Sequence, residues 1–178
     1  MSQASLIAAV RDSLAADRAT LRAAVDRVQA ALRMKKPAAD RWSVAEVLEH
    51  LSIVEGRIVM MLGAMFPSAP ATTNDVSGPT SIDRSAMQNR SNRVSAPGPT
   101  QPTGTLSADE AWAALERSRT GLLLLLETAE GRDLTQITRQ HPVLGPLDGY
   151  QWLAAVGSHE ERHALQIVEI ADELDSRK

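Results

Sequence analysis

Cysteine is absent from the chain. Disulfides, thiolate nucleophiles and sulfur ligands are therefore excluded, and any bound metal must be held by nitrogen and oxygen donors. Aromatic residues are scarce, 3% of the total, with one Phe, one Tyr and three Trp. A core must then come from Leu, Ala, Val, Ile and Met, a set that favours helices over strands. Positive charge is not in excess. Nineteen basic residues against 22 acidic ones leave a net charge of -3, which lacks the basic footprint of a nucleic-acid binder. Long apolar runs are missing too. The longest, Leu122–Leu126, is too short to span a bilayer. The opening Met1-Ser2-Gln3-Ala4-Ser5 lacks the charged-then-apolar pattern of a signal peptide. The expectation is a soluble cytoplasmic protein with no nucleic-acid or membrane partner.

What remains is a hydrophobic content of 43% in 178 residues. That is enough for one domain, residues 1–178, with a sizeable core. Leu6, Val10, Leu14, Leu21, Val25, Val28 and Leu32 recur at helical spacing and predict a first helix from 3 to about 34, stopped by Pro37. Ser43 with Glu46 forms a capping box, with Trp42 and Val47 as its hydrophobic staple. A second helix should run from 44 to about 65, where Gly56 and Gly63 weaken it or mark close packing. Ser107 with Glu110 starts a third helix, through Trp112, Leu115 and the Leu122–Leu126 run to near Gly131. That run carries Leu on nearly all sides, the sign of a helix buried on several faces or lying at a subunit contact. Asp148 with Gln151, stapled by Leu147 and Trp152, starts a fourth helix that continues to about Leu174. The preceding His141-Pro142-Val143-Leu144-Gly145-Pro146 reads as a rigid turn. The fold class expected is an all-α four-helix bundle.

Residues 67–106 differ in kind. They hold six of the nine prolines and three glycines, and they form a long connection between helices two and three. A loop of this length inside one domain wraps the core, lids a site or moves. Only Ile82 to Arg93 has the makings of a helical turn or two.

The four histidines are distributed unevenly. His159 and His163 are four positions apart, which stacks both imidazoles on one helical face. Stepping about 100° per residue groups them with Trp152, Val156, Gln166 and Ile170 on the apolar stripe. Glu160, Glu161 and Glu169 point elsewhere, and the pair at 160 and 161 reads as a solvated face. The same construction places His50 with Val47, Val54, Arg57 and Met61. Three inward imidazoles on two helices are costly as plain packing, because each polar ring buried without a partner costs about 1–3 kcal/mol. A shared divalent cation would satisfy all three. The plain alternative, hydrogen-bonded core histidines, stays open. Gln166, one turn beyond His163, is placed to bond an imidazole N–H or a metal-bound water. Arg57 is unusual on an inward stripe and reads either as a salt-bridged residue or as an anion-binding one. His141, just before Pro142, reads as structural or solvent-facing.

Two blocks resemble a known family. Trp42-Ser43-Val44-Ala45-Glu46-Val47-Leu48-Glu49-His50-Leu51 looks like the start of the second helix of the DinB-like four-helix-bundle superfamily. His141-Pro142, Gly145, Trp152 and His159-x-x-Arg162-His163-x-x-Gln166-Ile167 look like the end of that fold. The resemblance implies a metal triad of one His from helix two and an H-x-x-x-H pair from the last helix, here His50, His159 and His163. Among characterised relatives it implies thiol S-transferases that use bacillithiol or a similar low-molecular-weight thiol, and mycothiol-dependent maleylpyruvate isomerases. Zinc and nickel are the metals it implies first, and iron, cobalt or manganese suit three imidazoles as well.

Two functional classes follow. One is a metal-dependent transferase in which a thiol cosubstrate attacks an electrophilic small molecule, with hydrolysis by a metal-bound water as its variant. In that class Arg57 and Gln166 are the candidate substrate-binding residues, and the loop 67–106 covers the site. The other is a non-catalytic, stress-linked bundle with a structural metal. For either, the Leu-rich third helix predicts a homodimer.

Overall fold

The structure, a computed structural model, describes residues 2–72, 75–76, 81–91 and 95–176. Three capping boxes start three of its four long helices. Ser43 Oγ accepts from the Glu46 amide while the Glu46 carboxylate accepts from the Ser43 amide, opening α2 (Val44–Met65). Ser107 with Glu110 does the same for α4 (Ala108–Glu127), and Asp148 with Gln151 for α5 (Gly149–Asp175). Each box satisfies amides that the first helical turn leaves without a partner. The first helix, α1 (Gln3–Asp26), is capped by Ser2. A single short turn of helix, α3 (Ser85–Gln88), lies in the long connection. It falls within the expected stretch from 82, whose last two residues, Asn92 and Arg93, lie outside the described ones.

The first helix ends eight residues before the predicted 34. Past Asp26 the chain leaves helical geometry at Gln29, whose ψ is 138, and makes a 3-10 turn over Ala30–Leu32. Arg33 holds this corner. Its Nε donates to the Val28 carbonyl, its Nη2 pairs with Asp26, and its own carbonyl accepts from Ala45 in the first turn of α2. No proline or glycine marks the break. The Ala45–Arg33 bond ties this corner to the next helix.

Helix α1 packs on α5, α2 on α4, and α2 on α5. Two apolar clusters fill the interior. One joins Leu6, Val10, Leu14, Leu62, Leu122, Leu126, Tyr150 and Leu153; the other joins Leu21, Val25, Leu48, Leu51, Leu115, Ile167 and Ile170. Between them lies a charged layer. Glu55, Arg119 and Glu160 are buried, and Arg18 is nearly so. Glu160 was expected in solvent but is 1% exposed. Arg18 donates to its Oε1 from both Nε and Nη2, at 2.9 and 2.7 Å, and this ion pair accounts for its inward position. Arg119 donates to Glu55 and to the Leu14 carbonyl.

The expected rigid turn before α5 is a β-hairpin. Strand β1 (Thr138–His141) pairs antiparallel with β2 (Gly145–Asp148), from Thr138↔Asp148 to His141↔Gly145. Gly145, at φ 79, supplies a left-handed conformation that side chains disfavour. The two glycines of α2 differ. Gly63 lies 3.9 Å from Leu125 of α4 when a Cβ is built on it, whereas Gly56 has open space. By length and hydropathy Val44–Ser68 is apolar enough to cross a membrane. Here it is a bundle helix, with buried Glu46, Glu49, His50 and Glu55 each bonded inside the protein.

Candidate metal centre

His50 projects from the second turn of α2, and His159 and His163 project from the middle of α5. The α2–α5 contact brings the three rings together. Their centroids are 5.3 Å apart for His50 and His159, 4.9 Å for His50 and His163, and 4.6 Å for His159 and His163. One nitrogen from each ring lies within 4.8 Å of the other two. The Nε2 atoms of His159 and His163 face each other at 3.1 Å. That is close to the ~3.4 Å separating two imidazole nitrogens bound to one tetrahedral zinc. His50 and His163 are buried and His159 is half-buried.

The outer nitrogens fix which atoms face inward. His50 Nδ1 is 2.7 Å from the Thr100 carbonyl, which can only accept, so that nitrogen carries the proton. His163 Nδ1 is 2.8 Å from Gln166 Oε1 and donates likewise. Both rings therefore direct an Nε2 lone pair toward the centre of the trio. The lone pair on His163 Nε2 requires either a proton on His159 Nε2 or a cation between them. Trp42 packs beside His50, at 4.9 Å between centroids.

The electrostatics favour neutral rings. Burial pushes the His159 imidazolium down to about 3, with His50, His141 and Arg162 adding to the shift. Burial also holds His163 well below the ordinary histidine value, helped by His159, His50 and Arg90. His50 is lowered by burial, against the Thr100 carbonyl that favours its charged form. Neutral imidazole is the form that binds metal. The donor set fits a divalent cation: three neutral nitrogens, two with outer N–H groups held by oxygen acceptors, as metal-ligating histidines are usually oriented.

The long connection crosses α5 and reaches this site. Arg84 pairs with Asp17 of α1 and Glu161 of α5. Arg90 forms a two-pronged pair with Glu169 at 2.6 and 2.8 Å. Arg162 of α5 donates to the carbonyls of Met87 and Asn89. The segment 100–104 then lies against the second turn of α2, where Glu49 and His50 bond it.

Of the residues singled out in the sequence, His50, His159, His163 and Gln166 come together. Arg57 does not follow the inward stripe. It is exposed on α2, because that helix shows its outer side to solvent through its second half. His141 is structural. Its Nδ1 accepts from the Val143 and Leu144 amides, and its ring packs on Trp152. Sequence reasoning missed Glu49 and Thr100. Glu49 stands beside His50, but nothing local marks a backbone carbonyl from fifty residues away as its partner. Glu55 and Arg119 were legible in principle, since each occupies a position on the apolar row of its helix.

A mostly helical bundle with a histidine trio on its second and last long helices defines a recognisable class of protein. Residues 13–167 match the DinB superfamily, and the chain belongs to it. It is 28% identical over 142 residues to the uncharacterized protein YuaE of Bacillus subtilis (strain 168), covering 79% of this chain and 84% of that one. The crystal structure of TT2238, a four-helix bundle protein, is similar in fold, with a TM-score of 0.58 and 21% identity. That match covers 90% of this chain and 96% of TT2238.

Proposed function

We propose that His50, His159 and His163 bind one divalent metal, with zinc or nickel favoured, and that the protein is a metal-dependent transferase. The reaction class is transfer involving a low-molecular-weight thiol and an electrophilic small molecule. The observation that carries this reading is the pairing of outer nitrogens. Thr100 and Gln166 hold the protons of two rings outward, leaving neutral donors turned to a common point. Bound there, a metal would lower the pKa of a coordinated thiol and leave positions for it, since three protein ligands do not fill a tetrahedral shell. The chain itself orients the donors, excludes bulk water around His50 and His163, and covers the site with the segment 100–104. Gln166 acts by fixing His163. Arg57 is exposed on α2 and is not part of this reading.

Metal analysis of protein purified without a nickel column tests the ligand set. The expected result is one equivalent of metal in the native protein and loss of it in His163→Ala. Unchanged metal content in the variant would refute the assignment. A screen of cellular thiols with a generic electrophile then tests the reaction class.

The same proposal includes a soluble, cytoplasmic protein acting as a homodimer. Met60 on α2 and Leu124 on α4 are large apolar side chains, 77% and 59% exposed, and each is a candidate contact for a second copy. Sedimentation at increasing concentration should show the dimer; a monomer throughout would remove it.

A further inference from the structure

Glu49 is 4% exposed and immediately precedes His50. Its carboxylate is spent entirely on one piece of the long connection. Oε1 accepts from the Thr103 amide at 2.9 Å and from the Thr103 hydroxyl at 2.6 Å, and Oε2 accepts from the Gly104 amide at 3.1 Å. Three residues upstream, the Thr100 carbonyl accepts the His50 Nδ1 proton. Thr100 ends a 3-10 turn over Gly98–Thr100, in which its amide donates to the Pro97 carbonyl. Gly104 has φ 72, and a Cβ there would meet the Glu46 carboxylate at 3.2 Å. The strand of chain from 100 to 104 is thus seated on two successive residues of one helical turn: a carboxylate grips its end, and an imidazole grips its beginning.

We propose that Glu49 is a positioning residue for the metal centre. It anchors Thr103 and Gly104 so that the Thr100 carbonyl stays where it selects the Nδ1–H tautomer of His50 and holds the ring's Nε2 inward. This rests on the metal-binding reading above and assigns to the loop a defined part in it. The loop orients a ligand as well as covering the site. Glu49→Gln keeps the shape but turns an NH2 group toward the Gly104 amide, so one anchor bond becomes a donor–donor contact. Thr103→Val removes the shortest anchor bond from an exposed residue.

The test uses the full chain. In the metal-free protein, nitrogen-15 NMR of the imidazoles reads the tautomer of His50 directly. The wild type should show Nδ1–H, and Glu49→Gln a mixture. Titration with Co(II) or Zn(II) against a chromogenic chelator should then show Kd raised by about tenfold or more in Glu49→Gln. Thr103→Val should give a smaller rise in the same direction. A Kd within about twofold of wild type, with His50 still wholly Nδ1–H in Glu49→Gln, overturns the proposal. Loss of thermal stability with both readouts unmoved overturns it equally, because a merely structural anchor would do that. A wild-type chain that binds neither metal refutes the metal-binding reading, whereas the tautomer measurement still decides what Glu49 does.

Discussion

At the scale of single residues, the centre depends on what each imidazole does with its second nitrogen. His163 is held by Gln166 and His50 by Thr100. Replacing Gln166 with Leu removes the acceptor and leaves the His163 tautomer free. Metal affinity should fall by about 10–100-fold with helix content unchanged, as read by chelator competition alongside circular dichroism. Gly157 is a second sensitive residue, for a steric reason. A Cβ built on it collides with the Asp17 carboxylate of α1, which is buried and paired with Arg84. Gly157→Ala must displace that ion pair or separate α1 from α5. A loss of about 1–3 kcal/mol, typical of overpacking, should appear in urea unfolding.

At the scale of elements, the long helices begin where sequence chemistry says they should, and the capping boxes carry much of that definition. Ser107→Ala should cost about 1 kcal/mol of unfolding free energy, since it removes an acceptor from the first turn of α4 and leaves the core alone. The hairpin before α5 makes a different prediction. His141 Nδ1 accepts two backbone amides, and burial holds its imidazolium below the ordinary value. A histidine with a lowered folded pKa contributes stability above its unfolded pKa of about 6.5, and that contribution is lost as pH falls through the folded value. Acidification below pH ~6.5 should therefore loosen the 142–144 turn ahead of the four long helices. Amide exchange at Val143 and Leu144 across a pH series checks this. Exchange that accelerates only with global unfolding would contradict it.

At the scale of the whole molecule, the bundle carries a buried charged layer between two apolar clusters. Glu55 is surrounded by opposing influences: burial pushes its carboxyl up, Arg119 pulls it down, and Glu160 pushes up again. Arg119 donates to Glu55 at 2.8 Å. It also lies 3.0 Å from Glu160 Oε1, in a geometry too poor for a hydrogen bond. Glu160 Oε2 and the Ser158 hydroxyl are buried without a hydrogen-bond partner among the described residues. The layer links four helices through paired charges, and breaking a buried pair by removing one partner is strongly destabilising. Arg119→Met leaves Glu55 and Glu160 sharing the single guanidinium of Arg18 and should destabilise by about 3–5 kcal/mol. Arg119→Met combined with Glu55→Leu should recover part of that loss, and a double-mutant cycle measures the coupling.

The sequence determined the local features. Its helix starts follow from short-range capping chemistry, and the shared face of His159 and His163 follows from a four-residue spacing. The DinB blocks lie around those same residues, which is why the family was legible there. Other features were decided only by tertiary contact. Helix α1 stops at Asp26, and Arg33 ties the corner beyond it to α2. Glu160 turns inward because Arg18 on another helix meets it. Arg57 faces out because α2 covers less of itself than its apolar row implied. The Thr100 carbonyl reaches His50 because Glu49 holds the connection down. Local spacing says which side of a helix a residue is on, whereas the partner it meets there is chosen by segments far away in the chain, through distances and charges that exist only once the helices have packed.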